Sequence, residues 1–278
     1  MIRLLSIELD KIKRNKAAKV IVSVYFLLII AIALIASIEF NFANVNFRIA
    51  DQGIFNFPFI WHFNTYVAGI LKIFLAIVIV SMMANEYSYR TLKQNLIDGL
   101  SKKEFIFSKF ITVVGFALAS TLFVFLVSFV LGMFFSDHTE AIVIFRDMEY
   151  LFAYFIKLVG FFSFCLFLGI LVKRSAFALG FLIIWQIIEG IIYAVMKWQL
   201  FKDTELADKI INFFPLEAMA DLIVEPVTRL GGVRTIANQV GEEFSKSYAV
   251  NWYTVLIVAA WSAIFIYGSY KILKKRDL

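Results

Sequence analysis

Three ionisable residues interrupt otherwise apolar stretches of the sequence: Lys72, Lys157 and Glu189. A charge within hydrocarbon is costly and is retained for pairing or for function. Lys72 and Lys157 each lie about seven residues inside an apolar run. Glu189 lies about seven residues from the end of another, so at 1.5 Å per residue all three fall about 10 Å below one boundary. That shared depth predicts an ion pair of Glu189 with Lys72 or Lys157, which either fixes helix packing or lines the outer part of a substrate path. Other chemistry is sparse. His62 and His138 are too few and too far apart for a zinc cluster. Cys165 sits in an apolar run and reads as a small buried hydrophobe. Glu242 and Glu243 resemble the paired glutamates of membrane-embedded proteases, but no histidine lies in any apolar run to work with them. There is no G-x-x-x-x-G-K-[ST] phosphate loop, no G-x-S-x-G and no H-E-x-x-H. The chain is therefore not expected to be an enzyme, nor to hold a metal or cofactor of its own.

The elements that carry these residues follow from composition. Of the 278 residues 62% are hydrophobic and 17% charged, against about 45–50% and about 25% in soluble domains. A soluble fold could not cover such a chain with polar surface. Six runs approach or exceed the length of about 20 residues that a helix needs to cross a bilayer: Val20–Ile38, Thr65–Ala84, Phe110–Phe135, Leu151–Val172, Phe177–Met196 and Tyr253–Tyr270. They are continuous rather than alternating, which excludes a membrane β-barrel. The expectation is an all-α integral membrane protein, one transmembrane domain over residues 1–278 with six spans. Lys and Arg are about twice as frequent in the N-terminal segment, the loop 85–109, Lys173–Arg174 and the tail as in the other connections, which places both termini in the cytoplasm. The net charge of +6 is then a topology signal and an attraction to anionic lipid, not a nucleic-acid footprint.

Three segments lie outside the runs. In residues 1–19, Ile2, Leu5, Leu9 and Ile12 recur at helical spacing among basic residues, which predicts an amphipathic helix along the membrane surface. In 85–109, Tyr89–Ile97 forms about two helical turns with Leu92 and Leu96 on one face. Gly99 supplies the left-handed residue that ends it, and Ser101 with Glu104 makes a capping box for the next helix. A short helix held between two spans can transmit force to them. The segment 197–252 faces outside, with short apolar stretches at Ile210–Phe214 and Leu216–Val224 broken by Pro215, Pro226 and Gly231–Gly232, which predicts short helices on or in the outer leaflet. Trp61, just before the second run, fits an interfacial aromatic belt.

With this layout, the sequence resembles permease subunits of ABC exporters of the ABC-2 type over essentially its whole length. The basic N-terminal helix resembles the family's interface helix. The segment Asn85–Glu86, Thr91–Leu92–Lys93–Gln94–Asn95–Leu96, Asp98–Gly99–Leu100–Ser101–Lys102–Lys103–Glu104–Phe105 and Lys109 is similar to the family's loop between spans two and three. That loop reads N-E, T-[LI]-[KR], G-[VLW]-S-[RK]-x-[ED]-[FI] and then a basic residue. A glycine often precedes the threonine; Arg90 stands there in this chain.

The resemblance implies a pair of permease subunits, identical or different, each docked on a separate ATP-binding subunit that holds ATP and Mg. It implies that the helix Tyr89–Ile97, with Arg90, Thr91, Lys93, Gln94 and Asn95 on it, sits in a groove of that ATPase and couples hydrolysis to substrate movement. It also implies residence in the cell membrane. A non-transporting membrane component of an ATPase-linked peptide-sensing, resistance or cell-surface machine is the alternative. A secondary transporter would need midplane charges and matched broken helices, and the sequence has neither.

Overall fold

The computed structural model describes residues 2–42, 45–202, 206–230, 233 and 247–276, with the side chains of 2–4 and 40–47 left aside. Helix α1 covers Ile2–Arg14. Asn15 separates it from α2, Lys16–Ser37, by accepting a hydrogen bond from the Ala18 N–H. A two-stranded antiparallel hairpin follows, β1 Glu39–Phe42 and β2 Val45–Arg48, with Glu39 opposite Arg48 and Phe42 opposite Val45. The sequence reading assigned this connection no element. The bundle continues with α3 (Phe59–Ser88), α4 (Thr91–Ile97), α5 (Lys102–Phe135), α6 (Ala141–Ile144), α7 (Glu149–Val172) and α8 (Ser175–Val195). Two short helices, α9 (Leu206–Ile211) and α10 (Pro215–Asp221), precede α11 (Trp252–Lys275).

Among the described residues six helices are long and apolar enough to cross a membrane: α2, α3, α5, α7 with the preceding α6, α8 with the turn after it, and α11. The protein is an all-α, multi-pass membrane protein, the hairpin aside. Its centre is α7, which packs against α3, α5, α8 and α11. Glycines on α7 allow that closeness. A Cβ at Gly160 would stand 2.7 Å from Val258 of α11, and one at Gly169 would stand 3.0 Å from Met83 of α3. Small residues at such crossings are what membrane bundles use in place of a hydrophobic driving force between helices.

Several polar groups inside the bundle are matched, while the buried hydroxyls of Ser163 and Ser269 find no partner among the described residues. Tyr25 of α2, Ser120 of α5 and Tyr154 of α7 close a buried ring of three hydroxyls. Tyr25 meets Tyr154 at 2.8 Å, Ser120 meets Tyr154 at 2.9 Å, and Tyr25 also bonds Ser120. Each hydroxyl can donate once and accept once, so the ring satisfies itself. At the terminal end Arg276 donates to the Ile170 and Leu171 carbonyls at 2.6 and 3.0 Å, capping α7, and Lys102 donates to the carbonyls of Lys274 and Arg276. Cations there complement the negative end of the helix dipole. At the opposite end His62, fully buried, stacks on Tyr150 with ring centroids 4.3 Å apart. Its Nε2–H donates to the Val224 carbonyl at 2.7 Å, so its Nδ1 accepts from Arg229 at 3.0 Å. Trp61 faces the protein interior rather than lipid. It is fully buried, stacked on Phe125, and donates to the Ile144 carbonyl at 2.8 Å.

Candidate functional site

Helix α4 is set between α3 and α5 by its two ends. Arg90 takes a left-handed conformation, φ 56° and ψ 17°, so it performs the turn that a glycine would perform there. At the other end Gly99 has φ 97°, its N–H bonds the Leu96 carbonyl at 3.2 Å and the Leu100 N–H bonds Asn95 at 3.0 Å. This is the paired 5→2 and 6→1 closure of a Schellman motif. Ser101 then starts α5 with a reciprocal capping box: its Oγ accepts from the Glu104 N–H and its N–H donates to the Glu104 carboxylate.

Leu92 is buried and Leu96 half-buried against the bundle core. Lys93 and Gln94 are exposed, Asn95 is half-buried, and Tyr89 and Ile97 are each 74% exposed. The helix therefore clamps itself with Leu92 and Leu96. It presents Lys93, Gln94 and Ile97 outward, with Tyr89 exposed at the end of α3 just before it.

Beneath α4 lies a buried charge network. The Lys109 ammonium of α5, fully enclosed, donates to Glu8 of α1 and to Glu86 of α3, both at 2.5 Å. Lys11 of α1 donates to Glu86 at 2.8 Å and to Glu8 at 3.2 Å. The second Glu86 oxygen accepts from the Thr91 hydroxyl at 2.5 Å, at the first residue of α4. Two carboxylates and two ammoniums thus balance, and their hydrogen bonds compensate the desolvation that burial imposes. Burial alone would lower the pKa of Lys11, but the hydrogen bond and charge of Glu86, with Glu8 beside it, raise it above its ordinary value. The network joins α1, α3, α4 and α5 at one point. A cleft of about 500 Å³ opens next to it, bordered by Lys11, Asn15, Asn85, Glu86, Tyr89 and Thr91.

In the sequence Lys11 and Lys109 read as topology charges, and Glu86 and Lys109 also as positions of one family motif; nothing there brings the three together, and Glu8 passes unremarked. The available signal was Glu8 three residues before Lys11 on one helix face. Helix α1 forms as expected over Ile2–Arg14. Its face toward the bundle is centred on Glu8, with half-buried Leu5, Lys11 and Ile12. Leu9 is 38% exposed, and the Ile2 side chain lies outside the described residues.

The sequence matches the family described as ABC-2 family transporter protein over residues 4–189. The chain belongs to that family. A search among curated proteins finds no match. The matched stretch of this ABC-2 permease contains α1 from its third residue on, the α4 segment, the whole charge network and Glu189 at its last position.

The intramembrane charges of the permease do not pair as expected. Glu189 forms no ion pair with Lys72 or Lys157. Its carboxylate accepts from the Trp185 indole at 2.6 Å and from the backbone N–H groups of Leu216 and Glu217 at 3.2 and 3.1 Å. Those two amides open α10, and Pro215 ahead of them has no N–H to satisfy. Glu189 is therefore an N-cap supplied from another helix, with its negative charge at the positive end of α10. The shared depth was real in sequence, but α10 folds back against α8 and claims the carboxylate. Lys72 instead lies 4.5 Å over the Phe161 ring, and Lys157 reaches the Ala220 carbonyl at 3.4 Å. Glu242, Glu243, Gly231 and Gly232 lie outside the described residues.

Proposed function

We propose that this permease converts ATP hydrolysis in a separate ABC ATPase into export of a substrate across the cell membrane, with α4 as the docking and coupling helix and both termini in the cytoplasm. The buried Glu8–Lys11–Glu86–Lys109 network, tied to α4 through Thr91, carries this reading. A push on α4 meets a bonded junction of four elements rather than a free loop, so it moves α1, α3 and α5 together. Family membership supports an ATPase partner of the ABC type, while direction and pairing with a second permease belong to the proposal.

Exposure decides which substitutions test docking. Leu92 faces inward, so an aspartate there would disturb the packing of α4 itself. Tyr89 and Ile97 face outward. Coexpression with an ABC ATPase encoded beside the permease, with purification through a tag on the permease, should bring the ATPase down. Tyr89→Asp with Ile97→Asp should abolish that while the thermal midpoint of the permease stays within about 2 °C. Equal recovery of ATPase with this double variant would overturn the docking assignment.

A further inference from the structure

A cavity of about 280 Å³ lies between α3, α7, α8 and α10. Its walls are mostly apolar, with Phe161, Leu182, Leu216 and Met219 among them; Gln186 and Lys72 add polar groups. Lys72 is half-buried and, among the described residues, forms no hydrogen bond and no ion pair; its ammonium lies over the Phe161 ring. Lys157, 5% exposed, stands behind it, with its Nζ against Gly69 and a single 3.4 Å bond to the Ala220 carbonyl. Asp221 at the end of α10 feels the charge of Lys157 but forms no ion pair with it. Two ammoniums thus share one polar spot in a span region without a carboxylate in contact. Uncompensated cations at that depth are unfavourable, and two side by side repel, unless an anion joins them. On its outer side the cavity meets Ile70, Ile73, Ile183 and Ile187, all exposed apolar side chains.

We propose that this cavity binds the anionic headgroup of an alkyl-chain amphiphile, a phosphate or carboxylate held by Lys72, with its chain laid along the isoleucines of α3 and α8. Lys72 is the reaching ligand, since its side chain lines the cavity. Lys157 lies behind it and does not line the cavity. That this anion is cargo rests on the transport reading above; that it binds here does not.

The test titrates decyl phosphate, decyl maltoside and decyltrimethylammonium onto the permease–ATPase complex in nanodiscs of zwitterionic lipid by calorimetry, with empty nanodiscs subtracted. Decyl phosphate should bind at one site per permease, about tenfold or more tighter than the other two, the size expected of a charge-assisted hydrogen bond. Lys72→Gln should lose about tenfold of that affinity, and Lys72→Glu should reverse the preference toward the cation. Lys72 is half-buried, so these variants avoid the folding risk of replacing Lys157. Equal affinity for all three amphiphiles, or unchanged decyl phosphate binding in Lys72→Gln, overturns the site. Trapping the complex with ATP and vanadate separates the sources: cargo loses its site, whereas a resident lipid headgroup keeps it, and both results uphold the anion site. If no ATPase joins the permease, the transport reading falls, and the same titration on the permease alone still decides the site.

Discussion

Lys109 is wholly enclosed and touches two carboxylates, Glu8 and Glu86. Removing one partner of a buried pair is far costlier than the pair's net worth, because the charge left behind keeps its desolvation cost. Lys109→Met leaves two acids to share Lys11 alone. It should lower stability by about 3 kcal/mol or more, read as a fall in the thermal midpoint in detergent; an unchanged midpoint would show that the network holds nothing together. Arg90 argues in the other direction. A left-handed residue with a side chain costs roughly 1–2 kcal/mol, and Arg90 has φ 56°. Arg90→Gly should raise the midpoint by the equivalent of about 0.5 kcal/mol, part of the relief being offset by the freedom glycine has in the unfolded chain. Arg90→Ala should give no such rise. Arg90 could be located in the sequence from the family's glycine at that place; the Lys109 contacts could not, because Glu8 and Lys109 are a hundred positions apart and only the fold joins them.

At the scale of elements, α10 depends on a residue of α8. Glu189→Leu leaves the Leu216 and Glu217 amides and the Trp185 indole without their acceptor, so α10 should detach, at a cost of about 1–2 kcal/mol for the lost cap. Increased amide exchange over 215–221, with 91–97 unchanged, would report it; unchanged exchange in α10 would reject the capping role. Asp221 closes the same helix, and burial, reinforced by the charge of Glu217, pushes its pKa up to about 6 from 3.8. A carboxyl with a raised folded pKa favours the protonated folded form. Its contribution is full below about pH 4 and is lost as pH rises through about 6. The permease should therefore be more stable at pH 5 than at pH 7 on account of this group, by an amount reduced by solvent screening. Asp221→Asn should flatten that difference; an identical pH dependence in the variant would refute the assignment. The sequence showed that short helices follow the fifth apolar run, from Pro215 and the apolar stretches around it. It did not show what α10 rests on, since a capping carboxylate reads the same as an ion-pairing one until its neighbours are placed.

For the whole molecule the decisive feature is that α1, α3, α4 and α5 meet at one buried point while the outer face of α4 stays open. Coupling should therefore be separable from docking. Thr91→Val keeps Tyr89 and Ile97 outward but removes the hydroxyl bonded to Glu86. It should retain the ATPase in co-purification while reducing transport-linked ATP hydrolysis several-fold, as a loss of about 1–1.5 kcal/mol of coupling would. Full hydrolysis and transport in Thr91→Val would show that force reaches the spans by another route.

The amino-acid sequence by itself determined that this is a membrane protein of six long apolar helices, because continuous runs of that length have no soluble solution. It also determined where α4 stops and α5 starts, because Gly99, Ser101 and Glu104 act through bonds within a few residues of themselves; the start of α4 it placed at Tyr89, and the structure places it at Thr91, after the left-handed Arg90. Only the tertiary structure decided which charges meet. Lys72, Lys157 and Glu189 looked equivalent by depth, yet depth fixes one coordinate of three, and helix rotation and the return of α10 fixed the others. The same holds for Trp61, which sequence placed at the boundary and packing placed in the core. Local hydrogen bonds are written in adjacent residues; partners brought together across the bundle are set by how the helices pack.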